Sequence, residues 1–391
     1  MFSMITLPCN HKKGEISMEN TTKTARPPYH PDEQNIIGVQ KVGAIQMFRN
    51  MNAPVPDIEP LYNRPITPRE NLKLALSGEK PYWIPSVGWA FCDVHPFRPR
   101  MNHENIASHI ICDGEEPYQY EGNVLKSYFN TEWEYVPVAG GVTTRPGTAA
   151  VTDICDWENQ ISFPDLDAMD WEGMAQVNKE YLSTPKAREL GMAGGMWERL
   201  MYLMEVEDAA IALVDEEEKE AVKRFLDKYA DWVIDYITRV KKYCDIDGVL
   251  THDDWGHQLG GFFSLETAME MFVPYHKRIA DAIHSMGMFY ELHSCGKNQE
   301  LVPAYIAAGF DFWCPQAIND VEMMVEKYKD EPFWFGMPDP LITPDMSEED
   351  IKQLANEWFK KYKDRHVFTA FMMPNPVFMS ELYRLSREYY R

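Results

Sequence analysis

From about residue 245 to the C-terminus, short apolar runs alternate with amphipathic helical stretches, and this alternation restricts the chain more than any other feature. The runs at 248–252, 288–293, 310–314, 333–337 and 367–371 are apolar almost throughout, as strands covered on both faces must be. Helical periodicity fills the gaps at about 216–243, 265–286, 298–308, 319–328, 347–363 and 376–390. Strands that recur with a helix between them lie parallel in one sheet, because a parallel crossover needs a dozen or more residues. Further strands are expected at 83–87 and 191–196. Such a series closes into an eight-stranded barrel or stays open as a doubly wound sheet. No glycine-rich phosphate loop follows any of the runs, which removes the usual reason for the open, nucleotide-binding form.

Ahead of this series, residues 1–60 are polar and interrupted by Pro27, Pro28, Pro31, Pro54 and Pro56, and read as an N-terminal extension to a single catalytic domain at 61–391. The first helix signal is Thr67-Pro68-Arg69-Glu70, an N-cap followed by a proline that suits the first helical turn, with a stop at Gly78. Met1–Asn10 lacks the basic lead and small-residue cleavage site of a signal peptide, and Met18 serves equally well as the start.

A net charge of -23 argues against nucleic acid and anionic membranes as partners, since both would be repelled. The seven cysteines are odd in number and scattered, so a disulfide framework is not expected and a cytoplasmic, reducing location is.

In a barrel, chemistry gathers at the carboxyl ends of the strands, where His252, His293, Cys314 and Met337 all fall. Glu291, His293 and Cys295 share one face of an extended chain, and imidazole with thiolate suits zinc better than magnesium or calcium. The same pair is also compatible with ordinary packing, since free cysteine is commonly buried. After the 248–252 run come His252, Asp253, Asp254 and His257, two imidazoles and two carboxylates that suit acid–base work. Either aspartate could instead cap the following turn. Asp339, between Pro338 and Pro340, orients a ligand or forms a turn. Trp89, Phe91, Trp197, Trp255 and Trp313 line an aromatic pocket or belong to the core.

Taken together, these motifs resemble the uroporphyrinogen decarboxylase superfamily, and within it the cobalamin-dependent methyltransferase branch. The matching residues are Pro68-Arg69-Glu70-Asn71, Gly78 through Pro81, Ile84-Pro85, Trp197-Glu198-Arg199 and Asp253-Asp254-Trp255-Gly256 with Gln258. Further along are Ser264 through Pro274 with Lys277, His293-Ser294-Cys295-Gly296, and Gly336 through Pro340, so that the resemblance spans about residues 65–391.

The resemblance implies a (β/α)8 barrel of the uroporphyrinogen decarboxylase type. It also implies zinc held by His293 and Cys295, and a corrinoid carried by a separate partner protein. The decarboxylases' arginine-rich motif has no counterpart between Trp83 and Gly114, where Arg98 and Arg100 stand in a different context. The methyltransferases' third cysteine, on the last strand, is also missing from Phe371-Met372-Met373-Pro374. Cys314 is the expected substitute, with Glu291 the alternative. The implied activity is methyl transfer between a small methylated substrate and the corrinoid protein. His252, Asp253, Asp254 and His257 would serve as proton-handling or orienting groups, and Trp89, Trp255 and Asp339 as substrate contacts. The aromatic residues suggest a methoxylated aromatic donor and O-demethylation. Competing expectations are a tetrapyrrole decarboxylase and a non-catalytic barrel that binds a corrinoid or tetrapyrrole.

Overall fold

The computed structural model describes residues 26–42, 56–87, 92–97, 124–126, 129, 131–136, 141–192, 194–372 and 374–391. Strands β1 (Ile36–Lys41) and β2 (Ile58–Tyr62) form an antiparallel pair, and β3 (Val94–Phe97) follows. Strands β4 (Val124–Lys126), β5 (Glu132–Val136) and β6 (Gly141–Thr144) make a small antiparallel sheet. The remaining strands are β7 (Ala187–Met192), β8 (Gly248–His252), β9 (Phe289–His293), β10 (Phe312–Trp313), β11 (Trp334–Met337) and β12 (Val367–Thr369). Seven strands lie parallel in the order β12-β11-β10-β9-β8-β7-β3, with the helices of the series connecting them.

Both faces of this sheet are buried. Leu190, Val249, Tyr290, Leu292, Trp313, Phe335 and Val367 pack into one large cluster with the helices. Val94, Ala187, Phe289, Phe312 and Phe368 alternate with them and form a second cluster on the other face, with Cys92 and Val87. The helices are bounded by the signals that the chain carries. Thr67 and Glu70 form a capping box, Ser347 and Asp350 form another, and Gly309 takes the left-handed conformation that ends Val302–Ala308. The 27-residue helix Glu218–Cys244 shows Phe225, Tyr229, Trp232 and Tyr236 as a nearly parallel stack on its buried face.

The eighth strand expected at 83–87 is reduced to a single parallel bridge between Ser86 and Thr369. Pro85 has no N–H to give to a ladder, and the amides of Tyr82 and Trp83 donate instead to the Asn71 side chain. The strand expected at 191–196 starts four residues earlier, because the charged pair Arg188-Glu189 disguises its first half. The helix expected at 265–286 breaks at Phe272, where Pro274 starts a second helix, Val273–Ser285.

Part of the N-terminal stretch is packed against the end of the chain. Glu33 accepts hydrogen bonds from Arg387 and Tyr383 on the C-terminal helix Pro376–Tyr389, and Arg26 donates to the carbonyls of Pro81 and Tyr390. Among the described residues, no helix is long and apolar enough to cross a membrane.

Candidate metal centre

Strands β8 and β9 pair in register so that His252 lies opposite His293, and their imidazole centroids are 4.4 Å apart. Two residues past the end of β9, the Cys295 Sγ stands 3.2 Å from His293 Nε2. Asp254 Oδ1, two residues past β8, is 3.8 Å from the same nitrogen and accepts the Cys295 N–H at 2.7 Å. Asp254, His293 and Cys295 thus offer three donor atoms that lie within 4.8 Å of one another, and all three residues are only partly buried. Among the described residues, no other such group of three is present.

Burial, and then the Asp254 charge, push the Cys295 thiol well above its ordinary range. Behind Asp254, the carboxyl of Glu198 is 4 % exposed and accepts hydrogen bonds from the amides of Gly194 and Asp254, each at 3.3 Å. Burial, followed by the charges of Asp254 and Asp253, raises it to about 8. A cation at the donor group would reverse this pressure, favouring thiolate and carboxylate together.

Cys314 and Glu291 form a separate group on the inner face of the sheet. The Cys314 Sγ donates to Glu291 Oε1 at 3.5 Å, and Glu291 also shares a hydrogen bond with Glu189 of β7. Burial raises all three, Glu291 to about 7, and the like charges of the two carboxyls add to the rise of Glu189. Among the described residues, the donor atom that stands beside His293 and Cys295 is thus that of Asp254, while the expected Cys314 and Glu291 bond to each other outside this group.

The other expected site residues are dispersed. Asp253 is fully buried. Its Oδ2 accepts the amide of Met196, its Oδ1 accepts that of Glu198, and His276 Nε2 donates to it at 2.9 Å. It thereby satisfies amides in the first turn of the helix Met196–Met204. His257 is partly buried against Phe262 and stands outside the donor group. Trp255 is wholly buried among Phe263, Phe272 and Tyr305, and Trp197 and Trp313 are equally buried. These three tryptophans are core rather than pocket wall. Asp339 accepts the Met372 amide at 2.8 Å and so ties the segment after β11 to that after β12. Trp89 and Phe91 lie outside the described residues.

Residue patterns alone did not single out Glu189. Its signal was a carboxylate inside a buried strand run, which needs a proton or a partner to be there at all. Gln316 and Asn319 carried no such signal.

A parallel α/β sheet with imidazole, thiol and carboxylate converging at two adjacent strand ends defines a candidate metal centre. The family model of uroporphyrinogen decarboxylase (URO-D) matches residues 174–370, just over half of the chain, and the protein belongs to that family. No curated protein matches the sequence. Among solved structures, a methyltransferase from Methanosarcina mazei is similar, with a TM-score of 0.51 and 12% identity over 83% of this chain and 98% of that one. A B12-independent methionine synthase from Shewanella sp. W3-18-1 in complex with selenomethionine gives a TM-score of 0.35 and 11% identity, covering 58% of this chain and 67% of that one. The first is a likeness of fold; the second is too loose to support an inference.

Proposed function

We propose that this URO-D family member is a zinc-dependent methyltransferase of the corrinoid-dependent branch. It would move a methyl group between an oxygen or sulfur of a small substrate and a corrinoid carried by a separate protein in the cytoplasm. The parallel sheet is read as the greater part of a (β/α)8 barrel, with the Ser86–Thr369 bridge marking its seam.

The observation that carries this proposal is the Asp254, His293 and Cys295 group. Tetrahedral zinc with bonds of about 2.0–2.3 Å holds nitrogen, oxygen and sulfur donors about 3.4–3.6 Å apart. The separations of 3.2 Å and 3.8 Å about His293 Nε2 lie within half an ångström of that spacing, so the residues fit the ion. Zinc bound there by three protein ligands would keep one position open and supply Lewis acidity to the substrate's oxygen or sulfur.

The chain's own residues do the rest. His252, beside His293 at the strand ends, would orient the substrate or take its proton. Glu198, its carboxyl raised to about 8 by burial and the neighbouring charges of Asp254 and Asp253, would add little negative charge beside Asp254 near pH 7. With Trp197, Trp255 and Trp313 in the core, no tryptophan among these three speaks for an aromatic donor over another small methyl ether, alcohol or thiol.

The test is the metal content of anaerobically purified protein. About one zinc per chain is expected in the wild type, with loss in His293→Ala and Cys295→Ala. A wild type that takes up no zinc after reconstitution would overturn the proposal.

A further inference from the structure

His293 is held by the ladder of β9, but Cys295 lies beyond the strand's end, where no ladder reaches it. Its place depends on what satisfies the backbone there. Cys295 and Gly296 present four polar backbone groups, and each is bonded to a side chain. The Cys295 N–H donates to Asp254 Oδ1 at 2.7 Å, and its carbonyl accepts from Asn298 Nδ2 at 3.1 Å. The Gly296 N–H donates to Gln316 Oε1 at 2.8 Å, and its carbonyl accepts from Asn319 Nδ2 at 2.9 Å.

Two of these partners come from the segment after β10, more than twenty residues along the chain from Cys295 in each case. Asn319 is 5 % exposed and fully used. Its Oδ1 accepts the amides of Asn298 and Gln299, both at 3.0 Å, and its Nδ2 also donates to the Gln316 carbonyl at 3.1 Å. One side chain therefore grips both ends of the turn that carries the thiol. On the opposite side the turn rests on backbone: Gly296 has φ +88, and a Cβ there would lie 2.3 Å from the Gly256 carbonyl carbon. Lys297 N–H donates to the His257 carbonyl at 2.8 Å. The turn is thus clamped between the segments that follow β8 and β10.

We propose that Gln316 and Asn319 are positioning residues that set where the Cys295 thiol stands relative to His293 and so prepare the donor group for metal. The proposal rests on the metal reading of that group. Polar partners of this kind behind a metal ligand typically change affinity by about 10- to 100-fold when removed.

The experiment compares wild type, Gln316→Ala and Asn319→Asp. The aspartate keeps the acceptor for Asn298 and Gln299 but cannot donate to Gly296. Gln316 is exposed, so its variant retains the fold and decides the matter if the buried substitution does not fold. Two quantities are read: the zinc dissociation constant, by competition with a chromophoric chelator, and the rate of Cys295 alkylation by iodoacetamide in zinc-free protein, by peptide mass spectrometry. Zinc binding weakened about 10-fold in Gln316→Ala and more in Asn319→Asp is expected, with several-fold faster alkylation of Cys295. A residue that only stabilised the fold would shift the melting temperature of zinc-free protein without changing either quantity in folded protein. Zinc constants within twofold of wild type and an unchanged alkylation rate would overturn the proposal. A wild type that binds no zinc would remove the metal reading alone; the alkylation rates would then decide whether Gln316 and Asn319 hold the thiol.

Discussion

Replacing Glu198 by glutamine tests the electrostatics of the site without touching a donor atom. In zinc-free protein the carboxyl is raised from 4.5 to about 8, by burial first and then by the charges of Asp254 and Asp253. The sign follows from linkage. The unfolded chain ionises this group above about 4.5, while the folded chain resists until about 8, so wild-type stability falls across that window and levels off above it. At about 1.36 kcal/mol per pH unit the loss would be about 5 kcal/mol if Glu198 titrated alone. Because Glu198 and Asp254 titrate together, this figure is an upper bound on the measurable loss. Glutamine cannot ionise, but its amide would face one of the N–H groups that Glu198 now accepts, from Gly194 or Asp254, at a cost of about 1 kcal/mol. Glu198→Gln should therefore be slightly less stable than wild type near pH 5 and clearly more stable near pH 9. Urea midpoints of both proteins, measured with a chelator present from pH 5 to 9, give the comparison. A difference that stays flat with pH, or a wild type that gains on the variant as pH rises, would refute the reasoning.

Three other outcomes follow from the structure. Asp254→Asn should weaken zinc binding by about 10-fold or more, whereas Cys314→Ala, in the separate group with Glu291, should leave the zinc constant near wild type. Arg387→Met breaks a buried ion pair with Glu33 and should destabilise the protein by about 3–5 kcal/mol in urea titration. Burial alone would raise the Glu33 carboxyl, but its hydrogen bonds with Arg387 and Tyr383 outweigh this and hold it below 4.5. Its stabilising share is therefore complete at neutral pH and disappears on acidification below 4.5, so wild type and variant should converge there. Gly296→Ala meets both a left-handed backbone and the Gly256 carbonyl carbon at 2.3 Å, so the turn must shift; loss of zinc with a lowered melting temperature is expected.

Some of this architecture was legible in the chain because it rests on local patterns. Apolar runs separated by amphipathic helices are enough for a parallel α/β sheet, and 248–252 coincides with β8, because no charge interrupts that run. The His293 and Cys295 pair was equally readable, since the two residues lie two apart along the chain as it leaves β9. Where charge or proline entered a run, the pattern failed: Arg188-Glu189 hid the start of β7, and Pro85 left one bridge where a strand was expected. The strands β3 to β6 and the β1–β2 pair are short and carry Glu, Pro and Gly, so periodicity did not mark them.

The choice of third donor was beyond any sequence pattern. Asp253 and Asp254 are adjacent and chemically identical, but extended chain sends successive side chains to opposite sides. One therefore enters the core and satisfies amides in the first turn of Met196–Met204, and the other meets His293 and Cys295. Cys314 directly follows β10, the strand next to β9, and that adjacency made it the expected ligand; its thiol bonds to the buried Glu291. The clamp on Cys295 comes from Gln316 and Asn319 because β10 lies next to β9 in the sheet. Sequence by itself determined the layers and the soft donor pair, since both depend on residues a few positions apart. Tertiary structure alone decided which carboxylate stands beside that pair and which side chains bond to the turn that carries Cys295, since those depend on strand order and on the direction in which each side chain leaves the backbone.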